Sequence, residues 1–582
     1  MRQVLGGEVV AAMLAAEGVD TVFGIVDGTY MGLFSSFEKY GITLRSPRHE
    51  TTAAHMAGAY ARSTGRLGVC MASNGPGVAN ILPGVAVENG EGNRVLVLTS
   101  SRRQGITYPD RGGAYQYFDQ CGVIRPMAKW SGHAGTFERI PEMMRRAFRL
   151  AWRGRPGVVH VDVPENVLNG AFGIEDGWNR PPSSYRYTGP VVPDPALVER
   201  TADLLVAAAR PMLHVGSGVV HAGASAGVVG LAEQLQAPVT TSWGAQSAIA
   251  ADHPLAIPLS ALEVAGTARA DADLVLVLGS RLGETDWWGR GHRWGGPGTT
   301  VVQVDVDEEI LGLNRPVDVA VLGDVGVFAR QVTEALGHRT VSADRLEARR
   351  AWTASLAART HELRAELDVA LLAEGAPVHP AHVPHAVRHV VGDDALLVVD
   401  GGNTAVWTTM YYGPTAPNSV FSTFKFGMLG AGLGQALGVK AAHPERTVCC
   451  ITGDGAMGMH VQEVETAVRE GLPVCFVVLC DRQWGMVKLT QQFGLGELRQ
   501  VLGVDTQGTI NTDLGEVHFD EVARAMGAHG ERVSTTADLE PALRRALASG
   551  RPAVVHVDVD PDAHLLAPGL LDFKEMHQEP AG

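Results

Sequence analysis

The chain has 582 residues, of which 45% are hydrophobic and 19% charged, with a net charge of −15. That apolar content excludes a disordered chain, and the acidic balance argues against a nucleic-acid partner, which favours a basic face. Glycine is in excess at 70 residues, about 12% against an average near 7%, without the Gly-X-Y period of collagen.

The first residues, Met1 to Glu8, meet an acid before any long apolar run and read against a signal peptide. No stretch approaches the roughly 18 apolar residues of a membrane span. Cys70, Cys121, Cys449, Cys450, Cys475 and Cys480 form no C-x-x-C pair, which predicts reduced thiols in a cytoplasmic enzyme.

Along the chain, short apolar runs at 95–98, 274–278, 396–399 and 474–479 alternate with Ala/Leu/Arg-rich helical segments. Continuous apolar strands mean sheets buried on both faces, so the expected fold is α/β with doubly wound parallel sheets. Proline-rich sequence at 180–195 and a break after a long helical stretch within 338–380 divide the chain into three domains, 1–180, 190–345 and 370–565. The first and third share a plan. Arg155-Pro156-Gly157-Val158-Val159-His160-Val161-Asp162-Val163 recurs as Arg551-Pro552-Ala553-Val554-Val555-His556-Val557-Asp558-Val559. Each copy closes its domain, which points to a repeated fold.

The motifs follow in order. Arg48-His49-Glu50 precedes an Ala-rich helical stretch from Thr51 to Arg62, where an acid commonly only favours the helix dipole. Gly113-Ala114-Tyr115-Gln116-Tyr117-Phe118-Asp119 lies further on. The middle piece carries His214-Val215-Gly216-Ser217-Gly218 and Gly279-Ser280-Arg281, weak signals for a dinucleotide on their own. Gly401-Gly402-Asn403-Thr404 follows a strand, and the run 426–434 is dense in glycine. The sharpest signal is Gly453-Asp454-Gly455 between a strand and a helix. Such a turn offers backbone N–H groups to a phosphate, and its aspartate can hold Mg²⁺. Asp481, twenty-seven residues on, ends the next apolar strand and would share the same sheet edge.

With these motifs in place, essentially the whole chain resembles the thiamine-diphosphate-dependent superfamily of acetolactate synthases and pyruvate decarboxylases. The resemblance names the first domain pyrimidine-binding, the second central and the third diphosphate-binding. It implies Mg²⁺ held by Asp454, Asp481 and the Gln483 carbonyl, although the usual asparagine pair is Cys480-Asp481 here. It makes Glu50 the carboxyl group at the cofactor's aminopyrimidine, through which the C2 proton is relayed. Gln116 reaches the reactive side. Leu429 wedges between the cofactor rings and the Gly427 carbonyl accepts from its amine, a proximity device. Gly402, Asn403, Thr404, Gly453, Gly455, Ala456, Gln483 and Asn74 are the remaining cofactor contacts. Asp27, Tyr115 and Thr490 face the substrate, Thr490 standing where acetolactate synthases carry a tryptophan.

The implied activity is cleavage or formation of a C–C bond beside a carbonyl, read as decarboxylation of a 2-oxo acid with carboligation. A 2-hydroxyacyl lyase, a C–C hydrolase and a catalytically silent regulatory homologue stay open. For the central domain, a fold without FAD is favoured over a flavin site, because only Arg281 survives of the family's flavin stretch. The expected partners are a small-molecule substrate and a second copy of the chain. The assembly would be a homodimer or homotetramer with active sites at the subunit interface, and no membrane or nucleic acid is expected.

Overall fold

The computed structural model describes residues 2–109, 112–175, 177–505 and 507–577. Among these residues three six-stranded sheets follow one another along the chain, with every strand pairing inside them parallel. The first contains β1 (Thr21–Gly24), β2 (Thr43–Arg45), β3 (Gly68–Ala72), β4 (Val95–Ser101), β5 (Trp130–His133) and β6 (Val158–Pro164), in spatial order β2-β1-β3-β4-β6-β5. An antiparallel ribbon of Arg2–Leu5 with Ala171–Ile174 joins the start of this domain to its end.

The central sheet holds β7 (Pro211–Val215), β8 (Val239–Thr241), β9 (Ala256–Ile257), β10 (Leu274–Leu278), β11 (Thr300–Asp305) and β12 (Val319–Leu322), ordered β9-β8-β7-β10-β11-β12. The third has β13 (Leu396–Val399), β14 (Val420–Ser422), β15 (Val448–Gly453), β16 (Val474–Cys480), β17 (His529–Val533) and β18 (Ala553–Asp558), ordered β14-β13-β15-β16-β18-β17. The first and third orders are the same. The repeated sequences fall on β6 and β18, at the same place in the two sheets, so the internal repeat is a repeat of topology.

The strands are β-branched and apolar because both faces are covered by helices, and all seven residues of β16 are buried. The first and third domains meet through α1 (Glu50–Thr64) and α4 (Ala431–Ala442), with α2 (Pro76–Glu91) packed on α1, while α3 (Asn403–Tyr411) packs on β15. Two glycines one helical turn apart allow the approach. A Cβ on Gly434 would lie 2.9 Å from the His55 Cβ, and one on Gly438 would lie 2.2 Å from the Met56 carbonyl oxygen. The central domain joins them where Lys425 donates to Ser217 and to the Glu91 carbonyl, and where Arg62 reaches the Gly244 carbonyl. All six cysteines are free, and no described helix is long and apolar enough to cross a membrane.

Candidate active site

At the carboxyl edge of the first sheet, α1 opens on Glu50. His49 caps it in an extended conformation, with Nδ1 accepting from the Thr51 N–H, and Gly65 ends it in the left-handed region. Glu50 is buried. Its Oε2 accepts from Asn80 at 3.0 Å, and Oε1 faces the first turn of α2 at Gly77. The preceding turn is pinned from several sides. The Asn74 N–H donates to Ser100 and its side-chain amide to the Gln116 carbonyl, while the Gly75 N–H donates to Gln120 Oε1. Gln116 has φ of 54° and packs so closely on Gly75 that a Cβ there would stand 2.7 Å from Gln116 Cβ. Asp27 joins the group through Thr29, whose hydroxyl donates to Asp27 and meets that of Ser100.

At the carboxyl edge of the third sheet, β13, β15 and β16 are adjacent, so their end loops converge. Helix α5 (Asp454–His460) begins at the aspartate itself, with Gly453 as its cap, and a break at 461–462 precedes Glu463–Arg469. The sequence pattern places that helix later, at Met459–Arg469. Small residues at 455 and 456 let the strand turn directly into the helix. A Cβ on Gly455 would strike the Trp484 ring at 2.6 Å, and one on Gly401 would lie 3.2 Å from the Gly453 nitrogen.

Asp454 accepts from the Gly455 and Arg482 N–H groups, both at 2.7 Å. Burial and the neighbouring Asp481 carboxylate push its carboxyl up to about 6. Asp481 is 2.6 Å from His564 Nδ1 and accepts from the Gln483 side-chain amide and N–H. Gln483 forms an isolated bridge with Asp513 in which Trp484 donates to Thr512 and Leu514 to Arg482. That pairing turns the Gln483 N–H away from Asp513, and it donates to Asp481 instead. A cavity of about 770 Å³ opens beside these groups, walled by Asp454, Cys480, Asp481, Trp484 and Val517 among others, all from residues 376–561. The Cys480 thiol is buried, and burial holds it neutral.

Asp400 organises the glycine turns. It accepts from the Gly401, Gly430 and Gly432 N–H groups, tying the 401–404 turn to the segment that contains Gly427 and Leu429, and burial raises it to about 6. Gly427 is exposed at φ of 72°, and Leu429 is half-buried. Asn403 donates to the His564 carbonyl, and Thr404 meets His564 Nε2.

The sequence-predicted residues thus form two groups, one on each sheet edge. Glu50, Asn74 and Gln116 share the first, with Asp27 at its rim. Gly402, Asn403, Thr404, Gly453, Asp454, Gly455, Ala456, Asp481 and Gln483 share the second. Tyr115 is 72% exposed beside Gln116. Thr490 lies on the exposed side of α6 (Gly485–Leu502), bonded to the Met486 carbonyl and Lys574. Sequence reasoning missed His564, Asp400 and Gln120. His564 is 83 residues from its partner Asp481, so no local spacing announces it.

The edge of the third sheet has the chemistry to hold an anionic cofactor through a cation. Two carboxylates and a carbonyl supply hard oxygen ligands of the kind Mg²⁺ takes. Among the described residues, Asn74 Oδ1 and Asn403 Oδ1 are buried without a hydrogen-bond partner, a cost that a donor or cation from outside the chain would remove.

Comparison with known proteins agrees in each domain. Residues 5–123 match the family described as thiamine pyrophosphate enzyme, N-terminal TPP binding domain. Residues 198–332 match its central domain, and 400–557 its C-terminal TPP binding domain. The acetolactate synthase isozyme 3 large subunit of Escherichia coli is 30% identical, covering 97% of this chain and 96% of its own. A sulfoacetaldehyde acetyltransferase of Castellaniella defragrans is also 30% identical, over 94% of this chain and 91% of its own. A probable acetolactate synthase large subunit of Methanocaldococcus jannaschii is 27% identical over 96% and 92%.

Proposed function

The chain belongs to the thiamine pyrophosphate enzyme family, and on that premise we propose that it cleaves a 2-oxo acid beside its carbonyl and passes the fragment to an acceptor, with Mg²⁺ as the metal. The observation that carries this reading is the pair of sheet edges, one bearing Glu50 and the other Asp454 and Asp481. When bound, thiamine diphosphate supplies an acidic carbon that adds to a carbonyl and accepts the electron pair of the breaking C–C bond.

Glu50 holds and returns a proton at Oε1, the oxygen opposite its bond from Asn80. Asp454, Asp481 and the Gln483 carbonyl would hold the metal, and the glycines at 402, 453 and 455 would let the backbone approach a diphosphate. Leu429, Gly427 and Ala456 would shape the cofactor's seat, and Gln116 and Asn74 would lie on its reactive side. Asp27, Tyr115 and Thr490 belong to the substrate side in this reading. Thr490 in place of a tryptophan favours an acceptor other than that of acetolactate synthesis.

Two features support a site shared between two copies. The cavity beside Asp454 is walled by the third domain, without Glu50. Helix α6 has Leu489 as its buried residue while Val487, Phe493, Leu498, Val501 and Leu502 are exposed, an apolar face suited to a second chain. The test is a panel of 2-oxo acids and aldehydes offered to the enzyme with thiamine diphosphate and Mg²⁺. CO₂ release that depends on both supports the reading, and turnover independent of the cofactor contradicts it.

A further inference from the structure

A second cluster of ligand-type side chains lies on the first sheet, apart from the residues assigned above. Cys121 lies in the short helix Gln120–Ile124, His133 ends the edge strand β5, and Asp162 is its register partner in β6. One sulfur, one ring nitrogen and one carboxylate oxygen from these residues lie within 4.8 Å of one another.

The cluster is prepared as a metal site would be. Asp162 is 3% exposed, and its Oδ1 is saturated by Thr99 Oγ1 at 2.7 Å and Gln120 Nε2 at 2.9 Å. That leaves Oδ2, 2.7 Å from His133 Nδ1, to face the cluster. The His133 side chain is 44% exposed, which gives an ion a way in and a water a place to bind.

We propose that Cys121, His133 and Asp162 form a binding site for a zinc-class divalent ion, with the fourth position open to water. A mixed sulfur, nitrogen and oxygen donor set selects such an ion over Mg²⁺. Bonds of about 2.0–2.3 Å put tetrahedral ligand atoms roughly 3.3–3.8 Å apart, so closure needs a shift of about 1 Å. His133, on an edge strand, can supply it. The Cys121 thiol, pushed up to about 12 by burial and by Asp162, exchanges its S–H bond for a sulfur–metal bond and gives its proton to solvent. No electron is transferred. Because Gln120 bonds both Asp162 and the Gly75 N–H, the ion ties this turn to the loop beside Glu50.

The test uses the full chain, stripped by a chelator, reloaded with thiamine diphosphate and excess Mg²⁺, and titrated with Co²⁺. The proposal expects one Co²⁺ per chain with a thiolate-to-cobalt charge-transfer band, displaced by Zn²⁺. Cys121→Ser should abolish the band, and His133→Ala should weaken binding by more than the 10–100-fold typical of losing an outer partner. Retained thiamine diphosphate binding shows that each variant is folded. A band that persists in Cys121→Ser, or Co²⁺ uptake without such a band, overturns the proposal.

Discussion

His564 Nδ1 and Asp481 Oδ2 lie 2.6 Å apart, both buried, while the other carboxylate of the pair, Asp454, accepts from the backbone N–H groups of Gly455 and Arg482. His564 also meets Thr404, and its carbonyl accepts from Asn403 and Trp407. It therefore fixes Asp481 relative to the 401–404 turn. His564→Ala is expected to leave the fold intact and weaken Mg²⁺-dependent binding of thiamine diphosphate about 10–100-fold. Titration calorimetry with and without Mg²⁺ reads this directly, and unchanged affinity would remove His564 from the site.

The contact of α1 with α4 rests on backbone approach. Gly438→Ala would put a methyl group into the Met56 carbonyl, so it should destabilise the chain by about 1–3 kcal/mol in urea unfolding. Gly337→Ala is the control, since a Cβ there meets nothing within 4 Å.

His160 gives the first domain a pH dependence. It is fully buried between Thr99 and Ser131, and burial lowers it to about 4 from an ordinary 6.5. Between those values the unfolded chain binds the extra proton and the folded chain does not, so stability falls as pH falls from 6.5 toward 4. At 1.36 kcal/mol per pKa unit the loss is about 3 kcal/mol at most. Asp162 beside it is held below its ordinary 3.8 despite burial, by His133, His160 and Thr99, so its own contribution is lost only at lower pH. His160→Gln should flatten the unfolding free energy measured between pH 7 and 5, and an unchanged slope would assign the acid sensitivity elsewhere.

If active sites are shared, Glu50→Gln and Asp454→Ala chains, each inactive alone, should regain part of the activity when mixed. Two defects fall in one site of the mixed dimer and none in the other. Absence of recovery despite demonstrated subunit exchange would contradict the shared site.

The parallel α/β architecture was legible because continuous apolar runs such as 474–479 leave few alternatives, and the repeat at 155–163 and 551–559 carried the shared topology. The Gly453–Gly455 turn and Asp481 were legible because one strand-to-strand spacing brings both to the same edge. The pairings that orient them were not. Asp400 reads as an ordinary strand end, although its carboxylate gathers three glycine N–H groups from two segments. Gln120 and His564 act across chain distances that no periodicity encodes. The start of α5 at Asp454 was also misplaced, because the glycines that mark a turn there also serve as the helix's first residues.

On the proposed function, Glu50 moves the proton that makes the cofactor reactive. Hydrogen–deuterium exchange at the cofactor's C2, followed by quenched NMR on the Mg²⁺-loaded enzyme, measures that step apart from any substrate. Glu50→Gln is predicted to slow exchange about 10²–10⁴-fold while the cofactor stays bound. Exchange at the wild-type rate in that variant, with the cofactor bound, would rule out this role for Glu50.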